Sequence, residues 1–422
     1  MVTWNLSHDE LRRQQRALLD AQATRLHRES PFYESLWGCP RPSLESLPLV
    51  TKKDLHNALA AGFLGTNVAV SHDKIVHIHA SSGTSGRPTY FGLTEADYQG
   101  WLDVFARGFE LAGVQAGQRV LHAFAMSRGY AGGVPMADAL YRMGCLALPM
   151  GAEAGSARLV DAIDRLKPAV LYASPSMCRH LAQRHLDLTG RSAADSSVCL
   201  VLTGGEPGAG DPASKQALGL AWGAEVRELG GGTDVCPMMF VECAQKAGLH
   251  FIAGDQVSME LIDPDTGDPR PVAPGVRGEV VYSHLAREAN PVMRMRHGDV
   301  IEVDPTDCPC GLSTLRMRFI GRSDDMIIVR GVKIFPSSLQ EIVSEFQPTL
   351  TGGFQIRHHT SSRADEALTV ICETSTVDDV ELLRAFESRA REVLGVRVSC
   401  SLVPVGSLGA DAEQKGQLIQ RV

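Results

Sequence analysis

Between residues 76 and 201, short apolar runs alternate with longer polar stretches of helical character, and this alternation restricts the fold more than any other feature. The runs are Ile75-Val76-His77-Ile78, Arg119-Val120-Leu121-His122-Ala123-Phe124, Cys145-Leu146-Ala147-Leu148-Pro149 and Val198-Cys199-Leu200-Val201-Leu202. Each is rich in aliphatic or β-branched residues and is followed by Gly, Pro or Ser. A strand covered by helices on both faces reads as a continuous apolar run, whereas a strand with one wet face alternates. Buried parallel strands joined by helices are therefore expected, an α/β architecture.

The flanks differ. From Ser7 to about Trp37 the apolar residues Leu11, Ala17, Leu18, Ala21 and Leu26 recur at helical spacing among charges, and Pro31-Phe32-Tyr33 is expected to end that stretch. From Leu249 to Val303, turn signals at Pro264-Asp265-Thr266-Gly267 and Pro274-Gly275 separate β-rich pieces and predict a more antiparallel part. After Arg322 the pattern predicts strand 326–329, helix 337–346, strands 353–358 and 367–372, helix 377–394 and strand 396–403. That is a small α+β unit of about 100 residues. The expected domains are 1–322 and 323–422.

The net charge of −8 gives no basic footprint, so a nucleic-acid partner is not expected. The first residues lack the basic and apolar regions of a secretory signal, and no apolar stretch reaches about 18 residues, so no membrane span is expected. Ten cysteines without an export signal suit a reducing compartment, by default the cytoplasm.

After the run ending at Ala80 stands Ser81-Ser82-Gly83-Thr84-Ser85-Gly86-Arg87-Pro88-Thr89. Gly83 and Gly86 let backbone N–H groups approach an anion, and the hydroxyls add donors. No Gly-Lys-Ser/Thr follows, so this is not a Walker A loop. Taken alone it is either a phosphate cradle or a Ser/Gly turn. Cys243-x6-His250 and Cys308-x-Cys310 could form a closed Cys3His set suited to structural zinc, with Cys236 as an alternative ligand. Reduced core thiols and a surface histidine are the other reading.

The order of motifs resembles the acyl-adenylate-forming superfamily, most closely its phenylacetate–CoA ligase branch. The resemblance rests on the Ser81–Pro88 loop, Thr203-Gly204-Gly205-Glu206-Pro207, Met293-Arg294-Met295-Arg296-His297-Gly298-Asp299, Cys308-Pro309-Cys310-Gly311 and Gly321-Arg322-Ser323-Asp324-Asp325-Met326. It implies a large N-terminal adenylate-forming domain and a small mobile C-terminal domain. It implies ligation of an aryl or arylacetic acid to CoA through acyl-AMP, with ATP, Mg2+ and CoA taking part. Ser81, Ser82, Gly83, Thr84, Ser85 and Gly86 would then hold phosphate, and Gly204, Gly205, Glu206 and Pro207 would wall the adenine. Asp299 and Arg322 would hold the ribose, while Asp324, Arg330 and Gly331 would form the hinge and part of the CoA channel. Some members of the branch carry a similar Cys/His set, which favours structural zinc at Cys243, His250, Cys308 and Cys310.

One motif departs from the pattern. Where the family has Tyr-Gly-x-Ser/Thr-Glu, this chain has Leu229-Gly230-Gly231-Gly232-Thr233-Asp234. The resemblance implies nucleotide contacts from Gly231 to Asp234, with Asp234, or Thr233 if the alignment shifts by one residue, in place of the glutamate at the magnesium–phosphate site. Lys415, in Glu413-Gln414-Lys415-Gly416, matches the lysine that catalyses adenylation in the family. The acyl pocket corresponds to residues 122–133, where Phe124 and Tyr130 would flank a ring, Gly132 would leave space, and Ser127 and Arg128 would address a polar ring substituent. A carrier protein in place of CoA, and a non-catalytic adenylate-binding protein, remain alternatives. A homodimer is compatible with the resemblance.

Overall fold

The computed structural model describes residues 5–59, 63–80, 90–127, 129–206, 210–329, 332–358, 367–408 and 419–421. It divides into two compact units, one of residues 1–205, 218–297 and 301–318, the other of 206–217, 298–300 and 319–422.

The first unit opens with helix His8–Glu29, whose start is fixed by a capping box in which Ser7 and Glu10 each bond the other's backbone N–H. Pro31 begins a second helix, Pro31–Trp37, instead of ending the helical stretch. Its fixed φ and missing N–H suit the first helical position, where no intrahelical donor is needed. Five strands lie parallel in the order 225–232, 200–204, 170–172, 119–122, 146–149. Among the described residues they form one side of a twelve-stranded sheet. Side chains alternate across it. Leu121, Leu171 and Val201 face one layer, packed with Leu159, Ile163, Leu181, Leu218 and Trp222. Tyr172 points the other way, toward Phe109 of helix Glu95–Leu111, with ring centroids 5.4 Å apart. Each fully buried aliphatic side chain here contributes about 1.5–3 kcal/mol.

The run at 75–78 is the exception. Strand His77–Ala80 pairs antiparallel with Tyr90–Leu93 in a separate two-stranded sheet. The β-rich part behaves as expected: Val257–Ile262 is antiparallel to both Pro269–Arg270 and Arg277–His284, and Cys236–Glu242 is antiparallel to Glu225–Gly232 and Leu249–Phe251. Among the described residues no helix is long and apolar enough to cross a membrane.

In the second unit a four-stranded sheet runs in the order 398–404, 368–374, 350–358, 419–421. Helices Pro336–Glu345 and Val380–Leu394 supply Leu339, Ile342, Val343, Phe386, Ala390 and Leu394 to the core beside it. Asp379 caps the second helix by accepting from the Leu382 N–H at 2.9 Å, and Gly395, at φ 69°, ends it in the left-handed conformation.

Candidate functional site

His122, Tyr172 and Leu202 are register partners near the C-terminal ends of three adjacent parallel strands. In open α/β sheets this is where ligands bind. Phe124 follows the first of these strands, 4.5 Å from the Tyr172 ring and 6.5 Å from that of Tyr130. Gly205 adopts φ +80°, and a Cβ there would lie 3.5 Å from Phe124 and 3.7 Å from the Tyr130 hydroxyl. The structure thus brings Phe124, Tyr130 and Gly205 together at one place.

Two neighbours have partners within the protein. A Cβ on Gly132 would meet the Tyr130 ring at 2.6 Å, so the space that Gly132 leaves is taken by that ring. The Ser127 hydroxyl donates to Glu153 at 2.5 Å and is committed there. Glu153 also accepts from the backbone N–H groups of Met126 (3.1 Å) and Ser127 (3.1 Å), tying down the chain at 126–127. Burial would raise its carboxyl pKa, but these hydrogen bonds hold it below the ordinary value. Replacing Glu153 with alanine should loosen the loop at a cost of about 1 kcal/mol after solvent screening, raising KM for the acid about fivefold. Steady-state kinetics check this, and an unchanged KM would count against the anchoring role.

The glycines of segment 230–234 have a packing reason. A Cβ on Gly231 would sit 2.4 Å from the Pro237 carbonyl oxygen, and one on Gly232 would sit 2.3 Å from His297 Nε2. Here strand Glu225–Gly232 folds tightly onto Cys236–Glu242, with a register shift between Gly230 and Gly232. Thr233 and Asp234 occupy the turn. Asp234 borders a small cleft with Leu55, Asn67, Tyr90 and Asn290. Its Oδ2 lies 3.5 Å from the Lys52 ammonium. Its Oδ1 is buried with no hydrogen-bond partner among the described residues. A carboxylate oxygen left bare in this way suits a hard divalent cation.

In the second unit, Arg322 donates to Asp299 at 2.8 Å and to Asp324 at 2.6 Å. Burial opposes the guanidinium charge, but Asp324 and Asp299 more than offset it, and the Arg322 pKa is raised. Gly298, at φ +91°, lets this arginine come close, since a Cβ would meet Nη2 at 2.8 Å. The two ribose candidates and the hinge candidate are therefore one ion-pair group.

The cysteines and histidine also converge. Sγ of Cys243 is 3.6 Å from that of Cys308, Sγ of Cys310 is 3.4 Å from His250 Nε2, and the four ligand atoms lie within 4.8 Å of one another. Tetrahedral zinc with ordinary bond lengths would set such ligand atoms about 3.5–3.8 Å apart. Thr314 Oγ1, 2.9 Å from His250 Nδ1, orients the ring with Nε2 toward the thiols. Cys236 instead donates to the Met238 carbonyl and is not part of the group.

Ser81 to Gly86, Arg128, Pro207, Arg330, Gly331 and Lys415 lie outside the described residues. Lys52 and Glu153 carried no sequence signal, since each acts through a partner more than 25 positions away. His122 stands in the segment expected to line the acyl pocket but without a role of its own, and Tyr172 is not singled out by the sequence.

The chain matches the AMP-binding enzyme family over residues 14–286. It is 30% identical over 348 residues to a phenylacetate-coenzyme A ligase of Aromatoleum evansii, covering 80% of this chain and 76% of that one. It is 28% identical over 378 residues to a phenylacetate-coenzyme A ligase of Escherichia coli (strain K12), covering 86% and 82%. Among solved structures, a 2-hydroxyisobutyryl-CoA ligase in the postadenylation state, in complex with R3-HIB-AMP, superposes with a TM-score of 0.85 at 29% identity, covering 97% of this chain and 89% of that one.

Proposed function

The chain belongs to the AMP-binding enzyme family, and from that premise we propose how its residues carry out ATP-dependent acid–CoA ligation and on which class of acid. The acid carboxylate attacks the α-phosphorus of ATP, giving acyl-AMP and pyrophosphate. The CoA thiol then attacks the acyl carbon, giving the thioester, AMP and a proton. Residues 1–322 would bind ATP and acid, and 323–422 would form the small domain carrying Lys415. The Ser81–Gly86 loop would donate to phosphate, and Gly204 to Pro207 would wall the adenine. Asp299 would accept from the ribose hydroxyls, with Arg322 holding its carboxylate in place. Mg2+ would bind at Asp234, neutralising phosphate charge, while Lys52 keeps the other carboxylate oxygen. Asp324, Arg330 and Gly331 would serve the hinge and the thiol path. Zinc would be structural, held by Cys243, His250, Cys308 and Cys310. Ten free thiols support operation in a reducing cytoplasm.

The acid we propose is aromatic. The observation that carries this is the grouping of Phe124, Tyr130 and Tyr172 beside Gly205, since flat apolar walls favour a ring. A second reading, a short hydroxy acid, draws on the likeness to 2-hydroxyisobutyryl-CoA ligase. Pyrophosphate release with ATP and Mg2+ across aromatic and short hydroxy acids, with and without CoA, separates them. We expect release with aromatic acids and thioester formation once CoA is added. Release only with short hydroxy acids would overturn the aromatic reading, and release with no carboxylic acid would overturn the whole assignment.

A further inference from the structure

His122 closes the C-terminal end of strand Arg119–His122 and is wholly buried. Its ring stands edge-on to Tyr172 at 4.8 Å and to Phe124 at 6.2 Å. Among the described residues neither ring nitrogen has a hydrogen-bond partner. The peptide groups of Gly132 and Gly133 lie beside the ring without closing a bond of good geometry. An unpaired polar group in such a place costs about 1–3 kcal/mol, and an aliphatic side chain would fill the volume without that cost. Among the described residues nothing in the packing calls for a histidine here.

We propose that His122 is a specificity-determining residue that hydrogen-bonds a hydroxyl or amino substituent on the ring of the acid. This rests on the reading that Phe124, Tyr130 and Gly205 bound the acyl pocket, and it names the residue that addresses the substituent from beneath those walls. Burial lowers the imidazole pKa to about 4, so the ring is neutral near pH 7 and offers one N–H donor and one bare nitrogen. A hydroxyl can use either, and an amino group can donate to the bare nitrogen. An unsubstituted ring leaves both unsatisfied, and sites built for a polar group discriminate strongly on that basis.

The test compares kcat/KM for pyrophosphate release with a hydroxylated aromatic acid and its unsubstituted parent, in wild type and in His122→Leu. We expect wild type to favour the hydroxylated acid by about tenfold or more, and the leucine variant to lose that preference. The variant's Tm should stay level or rise, because an unsatisfied polar group has been removed. A fallen Tm with an unchanged ratio would make His122 a structural residue and overturn the proposal. In wild type, the 15N shifts of the His122 imidazole should move on binding the hydroxylated acid and not the parent. Equal shifts with both acids would also overturn it. Failure of wild type to release pyrophosphate with any aromatic acid would sink the aromatic pocket itself, a result distinct from an unchanged ratio.

Discussion

Replacing Lys415 with alanine is expected to slow acyl-adenylate formation by at least about 10²-fold, while thiolysis of supplied acyl-AMP continues near the wild-type rate. Lys415 lies outside the described residues, and the case rests on its sequence context and on the chemistry. Adenylation brings an anionic carboxylate against an already anionic α-phosphate. The repulsion grows as the pentacoordinate arrangement forms, and an ammonium between the two groups lowers the energy where charge is greatest. Thiolysis has no such need, because its leaving group is AMP and its nucleophile a single thiolate. Arginine should restore little of the rate, because its flat fork is not a compact point charge on a flexible stem. Single-turnover pyrophosphate release measures the first half-reaction, and CoA consumption with synthetic acyl-AMP measures the second. Equal loss of both, or of neither, would remove Lys415 from this role.

The strands at 119–122 and 200–204 were legible because burial on both faces writes itself as an unbroken apolar run, whereas 146–149, an edge strand with Leu146 and Pro149 exposed, was marked by its composition and its bounding residues alone. The same signal at 75–78 misled. Its run is as apolar as the others, yet Val76 and Ile78 are exposed and the strand pairs with Tyr90–Leu93. Local composition marks a strand but not its partner. The Asp299–Arg322 group was legible as two motifs, though the bond joining them spans 23 positions and only the fold supplies it. Ser127 shows the opposite limit. A hydroxyl can donate to ligand or protein alike, and the acceptor that decided the matter, Glu153, sits on a short turn 26 positions away. Buried polar groups without partners are invisible in a sequence, which is why His122, though inside the segment 122–133, had no legible role of its own.

Zinc removal is the other change with a large expected effect, and it should fall on stability before activity. About one zinc per chain is expected by elemental analysis. Cys308→Ser combined with Cys310→Ser should lose it and lower Tm by about 10 °C, since several kcal/mol of site energy would be forfeited. The donor set fits at the distances observed, and Thr314 fixes the His250 ring. Burial keeps the metal-free His250 neutral, with a pKa lowered to about 4, and pushes the Cys243 thiol up to about 12. The imidazole can therefore ligate at once, whereas Cys243 must release a proton, so zinc affinity should fall as pH falls. Cys243 follows strand Cys236–Glu242, whose other end begins beside Asp234. A zinc ion held there would be a strand's length from the magnesium candidate, about 20 Å, and would brace that strand rather than the turn bearing Thr233 and Asp234. Hence KM for ATP should change little in a zinc-depleted sample held well below its lowered Tm. A chelator-treated chain with unchanged Tm and four titratable thiols or imidazoles in place of bound metal would rule the site out, and a loss of ATP binding at unchanged Tm would mean that the metal acts at the nucleotide and not through the strand.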